Sequence, residues 1–354
     1  MKRLFVFLGV VFMTIGSAVS AQEVDSIAPL QKSSWGDAKT SEMSDYIPDV
    51  ALSMRGSYNQ DFAEKAGRFC GDGIYLDING KITPSLSYSI NQTIASRYID
   101  DLAGFNGINW MTLHYEIGDF GFTAGKDGLL IGSFEYDNAD IDSYYDMNSM
   151  FYNMLDCWQW GVSAAYYPSD SHEIIIQAAN SLFSYGEPNL FAYAAAWRGS
   201  WDCYESYWTA NLWQYGPGKY VKALNLGNRF YFGNFTLDLE YMTRAHAIKG
   251  LFSSDFTTMA VPAYEWSWGS AFGKFCYEHV AEGLPYELAY EAGNFMVYGA
   301  GLEVFPLKED KSVRAHAIWT SDTMGTNIFN IGLTWAIDVT GTVKKLFARS
   351  DKQN

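Results

Sequence analysis

Long apolar runs are scarce in this sequence. Beyond the first 21 residues the longest one is the eight-residue stretch 190–197, whereas a membrane-spanning helix needs about 20 such residues. Charged residues are also few, at 18%, against roughly a quarter in typical soluble domains. Aromatic residues, by contrast, reach 17%. The sequence therefore excludes membrane helices, but its composition is that of a protein with a large apolar surface.

Basic residues are too few for a nucleic-acid-binding face. The chain has 24 Lys and Arg against 40 Asp and Glu, for a formal net charge of -16, and nucleic-acid binding through a basic surface is excluded. Cysteines are also too sparse for a disulfide framework, with four in 354 residues. Only Cys70 and Cys157 are expected near the same rim of the fold proposed below, and their pairing stays open.

Sequence signatures of enzymes are lacking. His172 and Glu173 are not followed by the second histidine of a zinc-protease helix, and neither a phosphate-binding loop nor a G-x-S-x-G motif occurs. The five histidines show no metal-ligand spacing. We therefore predict no catalysis, no cofactor and no metal. A hydrolase with Ser and His on the wall of the outer-membrane barrel proposed below stays open as an alternative, because such a site has no fixed local motif.

The N-terminus has the three-part pattern of a secretory signal. Lys2 and Arg3 precede the apolar stretch 4–13, and a small-residue cleavage site ends at Ala21. We predict a signal peptide over 1–21 and export of the remaining chain. Residues 22–48 show no periodicity and are predicted to form a periplasmic N-terminal segment. Residues 339–354 are predicted to form a periplasmic C-terminal tail.

Strict alternation of apolar and polar residues dominates from residue 49 to residue 338. In 235–242, for example, apolar Phe235, Leu237 and Leu239 alternate with Thr236 and Asp238. A period of two indicates a β-strand with one apolar and one polar face. Sixteen such segments are predicted, beginning near Ala51, Gly73, Ser85, Ile108, Phe120, Trp158, His172, Leu190, Tyr207, Tyr220, Phe235, Phe256, Phe272, Asn294, Ser312 and Ile328.

These segments predict an all-β fold, a transmembrane antiparallel β-barrel of about 16 strands. In lipid every backbone polar group must be paired inside the protein, which only helices or closed sheets achieve. Bacterial barrels also have an even strand number, short turns at one end and longer loops at the other. The alternative is a soluble carbohydrate-binding sandwich that stacks sugars on its Trp and Tyr. That alternative leaves the large apolar face of sixteen strands uncovered.

One long connection, residues 127–156, is acidic and aromatic. It has seven carboxylates and no Lys, Arg or His, and it falls between the fifth and sixth strands. Long connections with their own packing side chains are usually functional. We predict that it folds into the barrel, the alternative being an acidic surface insertion. The candidate constriction residues are Asp127, Glu135, Asp137, Asp140, Asp142 and Asp146.

Charged residues on the polar strand faces are predicted to line the pore wall. Rings of carboxylates favour cations and rings of Arg or Lys favour anions. Alternatively, these charges pair across strands and only hold the barrel shape, as Arg229 would with Asp238 or Glu240. The candidate wall residues are Arg55, Lys81, Arg198, Arg229, Asp238, Glu240, Arg244 and Arg314, and the same polar faces carry Lys274, Asp77, Glu116, Glu173, Glu278, Glu303 and Asp338.

Four runs of the sequence resemble the porin O and P family, the phosphate-selective porins. The resemblance implies a sixteen-stranded outer-membrane porin, commonly a homotrimer, with the loop after the fifth strand folded into the lumen. It also implies anion passage along Arg and Lys, whereas the acidic loop predicts a cation preference. We therefore expect a porin for ions and small hydrophilic solutes that leans towards cations, with an anion- or phosphate-selective porin as the alternative. The runs are 109–142, 223–242, 298–319 and 329–338.

Overall fold

The structure is a computed structural model of the chain. It describes residues 46–99, 102, 105–137, 140–155, 157–184, 188–286, 291–307 and 311–342, without the side chains of residues 140 and 154. The predicted signal peptide, nearly all of the predicted segment 22–48 and residues 343–354 of the predicted tail lie outside this part of the chain.

Sixteen antiparallel strands close into one barrel, as predicted. Each strand pairs with its neighbours in the chain, and β1 pairs with β16 to complete the circle. The strands are β1 (Asp49–Asp61), β2 (Ala66–Thr83), β3 (Leu86–Ser96), β4 (Ile108–Ile117), β5 (Phe120–Gly128), β6 (Trp158–Ser169), β7 (His172–Asn180), β8 (Phe191–Trp201), β9 (Tyr204–Gly216), β10 (Lys219–Phe232), β11 (Phe235–Ala245), β12 (Asp255–Trp266), β13 (Gly269–Val280), β14 (Gly293–Val304), β15 (Val313–Asp322) and β16 (Asn327–Asp338).

The alternating sequence pattern places apolar side chains outside and polar side chains in the lumen. On β16, Ile331 and Leu333 are 49% and 42% exposed, while Asn330 and Thr334 on either side of them are buried. Such an exposed apolar surface on a closed barrel is suited to contact with lipid rather than water. The hydrophobic effect therefore stabilises this barrel in a membrane, with the polar residues facing inward.

Connections are mostly short at the end of the barrel where β1 begins and β16 ends, and mostly longer at the other end. The turns 84–85, 118–119 and 233–234 have two residues each, whereas 97–107 and 129–157 are long connections. We call these the turn end and the loop end. The largest difference from the predicted strand starts is at β2, which begins seven residues before Gly73. A bulge opposite Arg55 and Gly56 shifts the alternation by one residue. The first part of β2 therefore does not continue the pattern that begins at Gly73.

Helices are few and short. The described residues include one α-helix, α1 (Met150–Met154), and three single-turn 3-10 helices, at Asp140–Asp142, Tyr145–Met147 and Ile248–Gly250. Within the ranges given above, none is long and apolar enough to cross a membrane. All four cysteines are free thiols, including Cys70 and Cys157.

Closure of the barrel predicts resistance to SDS. Because β1 and β16 pair along eleven residue positions, no strand edge is left for detergent to open. The unboiled protein should therefore migrate faster on SDS gels than the boiled protein, and it should co-fractionate with outer membranes. A variant truncated before β16 serves as control and should lose the fast-migrating form. Identical mobility before and after boiling, with recovery in the soluble periplasm, would contradict membrane insertion.

Candidate functional site: a loop in the barrel lumen

The connection between β5 and β6, residues 129–157, crosses the inside of the barrel. Its backbone is hydrogen-bonded to inward side chains of three wall strands. The Gln177 side chain on β7 accepts from Leu130 N and donates to Gly128 O, both at 2.9 Å. On β9 the Thr209 hydroxyl donates to Ile131 O at 2.7 Å, and Asn225 on β10 donates to the same oxygen. We call residues 129–155 the lumen loop.

Apolar side chains of the lumen loop pack against one side of the barrel. Ile131 and Phe151 are almost fully buried and belong to a cluster with Trp213, Val221 and Met242 of the wall. The Phe151 and Trp213 rings are stacked with centroids 6.2 Å apart. Inward residues of β8 to β11 are apolar here because they contact this loop rather than water. Packing of this kind holds Ile131 and Phe151, near the two ends of the loop, against β9–β11.

Four carboxylates of the lumen loop are each paired with a basic side chain from elsewhere in the barrel. Asp137 accepts two hydrogen bonds from Arg198 on β8, at 2.7 and 3.0 Å. Asp146 lies 2.9 Å from Arg97. The other two pairs join Glu135 to Lys274 on β13 and Asp142 to Arg314 on β15.

The Glu135–Lys274 pair is the most buried of the loop-to-wall ion pairs. The two side chains are 3% and 8% exposed. Glu135 also accepts hydrogen bonds from the backbone N and the hydroxyl of Ser149, at 2.7 and 2.6 Å. One carboxylate thereby joins β13 to both the start of the loop and the start of helix α1. Removal of either charge would leave the other buried and uncompensated.

Arg55 holds the middle of the lumen loop from the other side of the barrel. Its guanidinium donates to the carbonyl oxygen of Ser143 at 2.7 Å and also to that of Ile141, and it lies 4.2 Å from the centroid of the Tyr144 ring. The Tyr144 hydroxyl in turn donates to Glu303 at 2.5 Å. The loop is thus attached to β1 and β14 as well as to β7–β10, β13 and β15.

Burial affects the electrostatics of the loop. It raises the pKa of Asp146 above its ordinary value, although the neighbouring Arg97 opposes this shift. Burial also raises the pKa of the Tyr144 hydroxyl, with Arg55 acting in the opposite direction. Tyr144 is therefore an uncharged hydrogen-bond donor at neutral pH.

The remaining predicted wall residues differ in their surroundings. Arg229 forms a two-bond ion pair with Asp238, both distances being 2.7 Å, so this contact is one of the cross-strand pairs considered from sequence. Arg244 is fully buried with Asp255 on β12. Glu240 is also buried. Lys81 is half-buried near the turn end, opposite Ser87.

Among the predicted constriction residues, Asp127 is placed differently from Glu135, Asp137, Asp142 and Asp146. Asp127 lies within β5, before the lumen loop, and its carboxylate accepts a hydrogen bond from Gly128 N at 2.8 Å. The side chain of Asp140 lies outside the described residues, as does Asp156. The loop carboxylates that the structure brings to the wall are therefore Glu135, Asp137, Asp142 and Asp146.

Two of the basic partners of the loop, Lys274 and Arg97, are not among the site residues predicted from the sequence. Lys274 was placed on the polar face of its strand but not in contact with the loop, because alternation gives a face and not a height along the barrel. Arg97 follows the last residue of β3, where alternation ends and gives no signal. In the folded chain Arg97 forms ion pairs with two carboxylates, Asp72 at 3.0 Å and Asp146 at 2.9 Å. These contacts are visible only in three dimensions.

The lumen loop separates two cavities inside the barrel. The vestibule, at the loop end, has a volume of about 600 Å³ and is lined by Tyr98, Tyr145, Tyr152, Asp146 and Asn153 among others. The inner chamber, towards the turn end, has a volume of about 330 Å³. Asn148 of the loop borders both cavities.

Comparison with solved structures shows the same fold. The outer membrane channel DcaP of Acinetobacter baumannii superposes with a TM-score of 0.62 at 10% sequence identity, covering 84% of this chain and 99% of that one. A triple mutant of Rhodopseudomonas blastica porin gives a TM-score of 0.56 at 10% identity, covering 82% of this chain and 100% of its own. The chain has the sixteen-stranded barrel fold of outer-membrane porins. At these identities the likeness concerns the fold alone.

Comparisons at the level of sequence give no family. No protein-family model matches the chain, and no curated protein matches it. The resemblance to the phosphate-selective porins therefore stays a prediction. Among the described residues no group of three or more His, Cys, Asp or Glu could hold a metal ion.

Removal of one partner from the buried Glu135–Lys274 pair should destabilise the protein far more than removal of one partner from a surface pair. Lys274→Met or Glu135→Gln alone should lower the free energy of unfolding by about 3–5 kcal/mol, because each leaves an unpaired buried charge. The matched control is Lys311–Glu265, whose side chains are 51% and 55% exposed, and which should contribute about 0–1 kcal/mol. Double-mutant cycles from urea unfolding in detergent would measure both. Equal coupling energies in the two cycles would contradict the buried anchor.

Proposed function

We propose that this protein is an outer-membrane porin through which ions and small hydrophilic solutes diffuse, with the lumen loop as its constriction. The observation that carries the proposal is the hydrogen bonding of the loop to the inner wall, from Gln177, Thr209 and Asn225, inside a barrel whose outer surface is apolar. A barrel of this size without such a loop encloses a wide aqueous channel. In this proposal the loop reduces the channel to the vestibule and the inner chamber, and solutes move between them beside Asn148, which borders both.

The charge lining the inner chamber supports a preference for cations. Six carboxylates and three basic groups line it: Glu135, Asp142, Asp238, Glu240, Glu265 and Glu303, with Arg229, Lys274 and Arg314. All three bases are paired, with Asp238, Glu135 and Asp142 respectively. The bases are thus neutralised by carboxylates and the excess charge is negative. Carboxylate-lined constrictions favour cations.

The anion- or phosphate-selective alternative requires bases that are free to contact the solute. Here Arg97, Arg198, Arg314 and Lys274 each contact a carboxylate of the loop. The arginines and lysine of the wall therefore support loop attachment better than anion binding. A homotrimer, implied by the family resemblance, belongs to the same proposal. Cross-linking of the protein in native outer membranes tests it.

Replacement of residues 134–150 by a short Gly-Ser linker should leave the barrel folded and increase unit conductance severalfold. The sixteen strands pair with one another without this segment, which lies inside the barrel. Single-channel recording in planar bilayers measures the change, and heat-dependent mobility on SDS gels confirms folding. A matched control replaces exposed residues 62–65 between β1 and β2 with the same linker and should not alter conductance. Unchanged conductance in a folded deletion variant would place the loop outside the conducting path.

Replacement of Asp137, Asp140, Asp142 and Asp146 by Asn should reduce cation preference with little change in conductance. Asn keeps the volume of Asp but removes its charge, so that Arg198, Arg314 and Arg97 lose their carboxylate partners on the loop and the lumen becomes less negative. Zero-current potentials in a KCl gradient measure the preference, which should weaken as salt rises and screening shortens. Clear anion preference of the unmodified protein at low salt would contradict the proposed selectivity.

A further inference from the structure

Two carboxylates in the inner chamber are incompletely compensated, because Glu240 has no basic partner among the described ion pairs and Glu303 shares Arg314 with Asp142. Glu240 on β11 is 5% exposed, and within the described residues its Oε2 is a buried atom without a hydrogen-bond partner. None of the ion pairs described includes Glu240. Glu303 on β14 lies 3.9 Å from Arg314, which makes its shorter contact with Asp142. Buried carboxylates without compensation are costly, so a site of this kind favours a positively charged occupant.

Aromatic rings line the same chamber. Tyr144 of the loop and Phe272 of β13 stack with centroids 5.7 Å apart and planes at 15°. Two chamber rings already bind protein cations, since the guanidinium of Arg55 lies 4.2 Å from the Tyr144 centroid and that of Arg229 lies 4.3 Å from the Phe134 centroid. Ring faces attract organic cations through their quadrupole. The lining thus combines negative charge with ring surfaces.

We propose that the inner chamber is a binding site for organic ammonium ions, with Glu240 and Glu303 as the carboxylates and Phe272 as a ring surface. This inference rests on the proposed function, since the solute enters through the pore. Glu240, without a basic partner, and Glu303, with a shared one, suit an alkyl diamine, whose two ammonium groups are joined by an apolar chain. A volume of about 330 Å³ accommodates such a molecule. Hydrated inorganic cations would use the charge but not the aromatic surface.

The other carboxylates of the inner chamber are each paired with a base, unlike Glu240. Glu135, Asp142 and Asp238 are neutralised by Lys274, Arg314 and Arg229. Glu265 is paired with Lys311 at 2.7 Å. Glu303 accepts hydrogen bonds from the neutral hydroxyls of Tyr144 and Ser270, at 2.5 and 3.2 Å. Those bonds fix the carboxylate in place without removing its charge.

The test is block of potassium current by 1,4-diaminobutane in single-channel recordings. Millimolar diamine should reduce the current of the unmodified porin, while 1,4-butanediol, of the same length but uncharged, should not. Glu240→Gln and Glu303→Gln should each raise the half-blocking concentration about tenfold, since each removes one charge from a poorly hydrated site. Glu116→Gln, an inward carboxylate on β4 that does not line the chamber, is the matched control and should leave block unchanged.

Block by Mg²⁺ is compared with block by the diamine to separate a response to positive charge alone from recognition of the ammonium groups and the apolar chain. Phe272→Leu should weaken block by the diamine and leave any effect of Mg²⁺ unchanged. Equal block by Mg²⁺ and diamine, or diamine block insensitive to both Gln variants, would overturn the assignment. Heat-dependent mobility on SDS gels shows that each variant is folded. Channels that open but are not blocked refute only this site, whereas absence of channels from the unmodified protein refutes the porin function itself.

Discussion

The pairing of lumen-loop carboxylates with basic side chains of the barrel is the interaction on which the internal architecture depends. A loop of this length inside a wide barrel has a large conformational entropy in the absence of attachments. Ion pairs at Glu135, Asp137, Asp142 and Asp146, together with packing of Phe151, hold it in one position. The same contacts neutralise most of the loop's negative charge. Attachment and selectivity are therefore linked, because a carboxylate that binds the wall is less available to a passing ion.

Closure of the sheet is the other constraint, and it follows from the solvent. A membrane offers no hydrogen bonds to an open strand edge, so β1 must pair with β16. The alternation of Ile331 and Leu333 with Asn330 and Thr334 is the local consequence of this requirement. The outer face of each strand contacts lipid and the inner face contacts the aqueous lumen. Alternation lets one strand present apolar side chains to the first and polar side chains to the second. This is why a sequence with few charged residues and no long apolar runs nevertheless spans a membrane.

The barrel was predictable from sequence because alternation is a local signal, as in Phe235, Leu237 and Leu239. Strand number, turn asymmetry and the place of the long loop all follow from it. The contacts between the loop and the wall were not predictable from the sequence. Lys274 and Glu135, for example, are 139 residues apart, and whether they meet depends on strand register and barrel shape. Arg97 lies in a connection without periodicity. Likewise, Glu240 and Glu303 are ordinary wall carboxylates in the sequence. That Glu240 has no basic partner and that Glu303 shares Arg314 with Asp142 become visible only in the structure.

Distance between the lumen loop and the wall in the folded protein tests this account most directly. Asp137→Cys and Arg198→Cys, in a background without the four native cysteines, place thiols at a loop-to-wall ion pair whose side chains are 31% and 25% exposed and thus accessible to reagent. A short bis-methanethiosulfonate reagent, followed by protease digestion and mass spectrometry, should join the loop peptide to the β8 peptide. No cross-link should form when Asp137→Cys is combined with exposed Glu64→Cys. The reverse pattern, with Asp137→Cys reaching residue 64 but not residue 198, would contradict the inward loop.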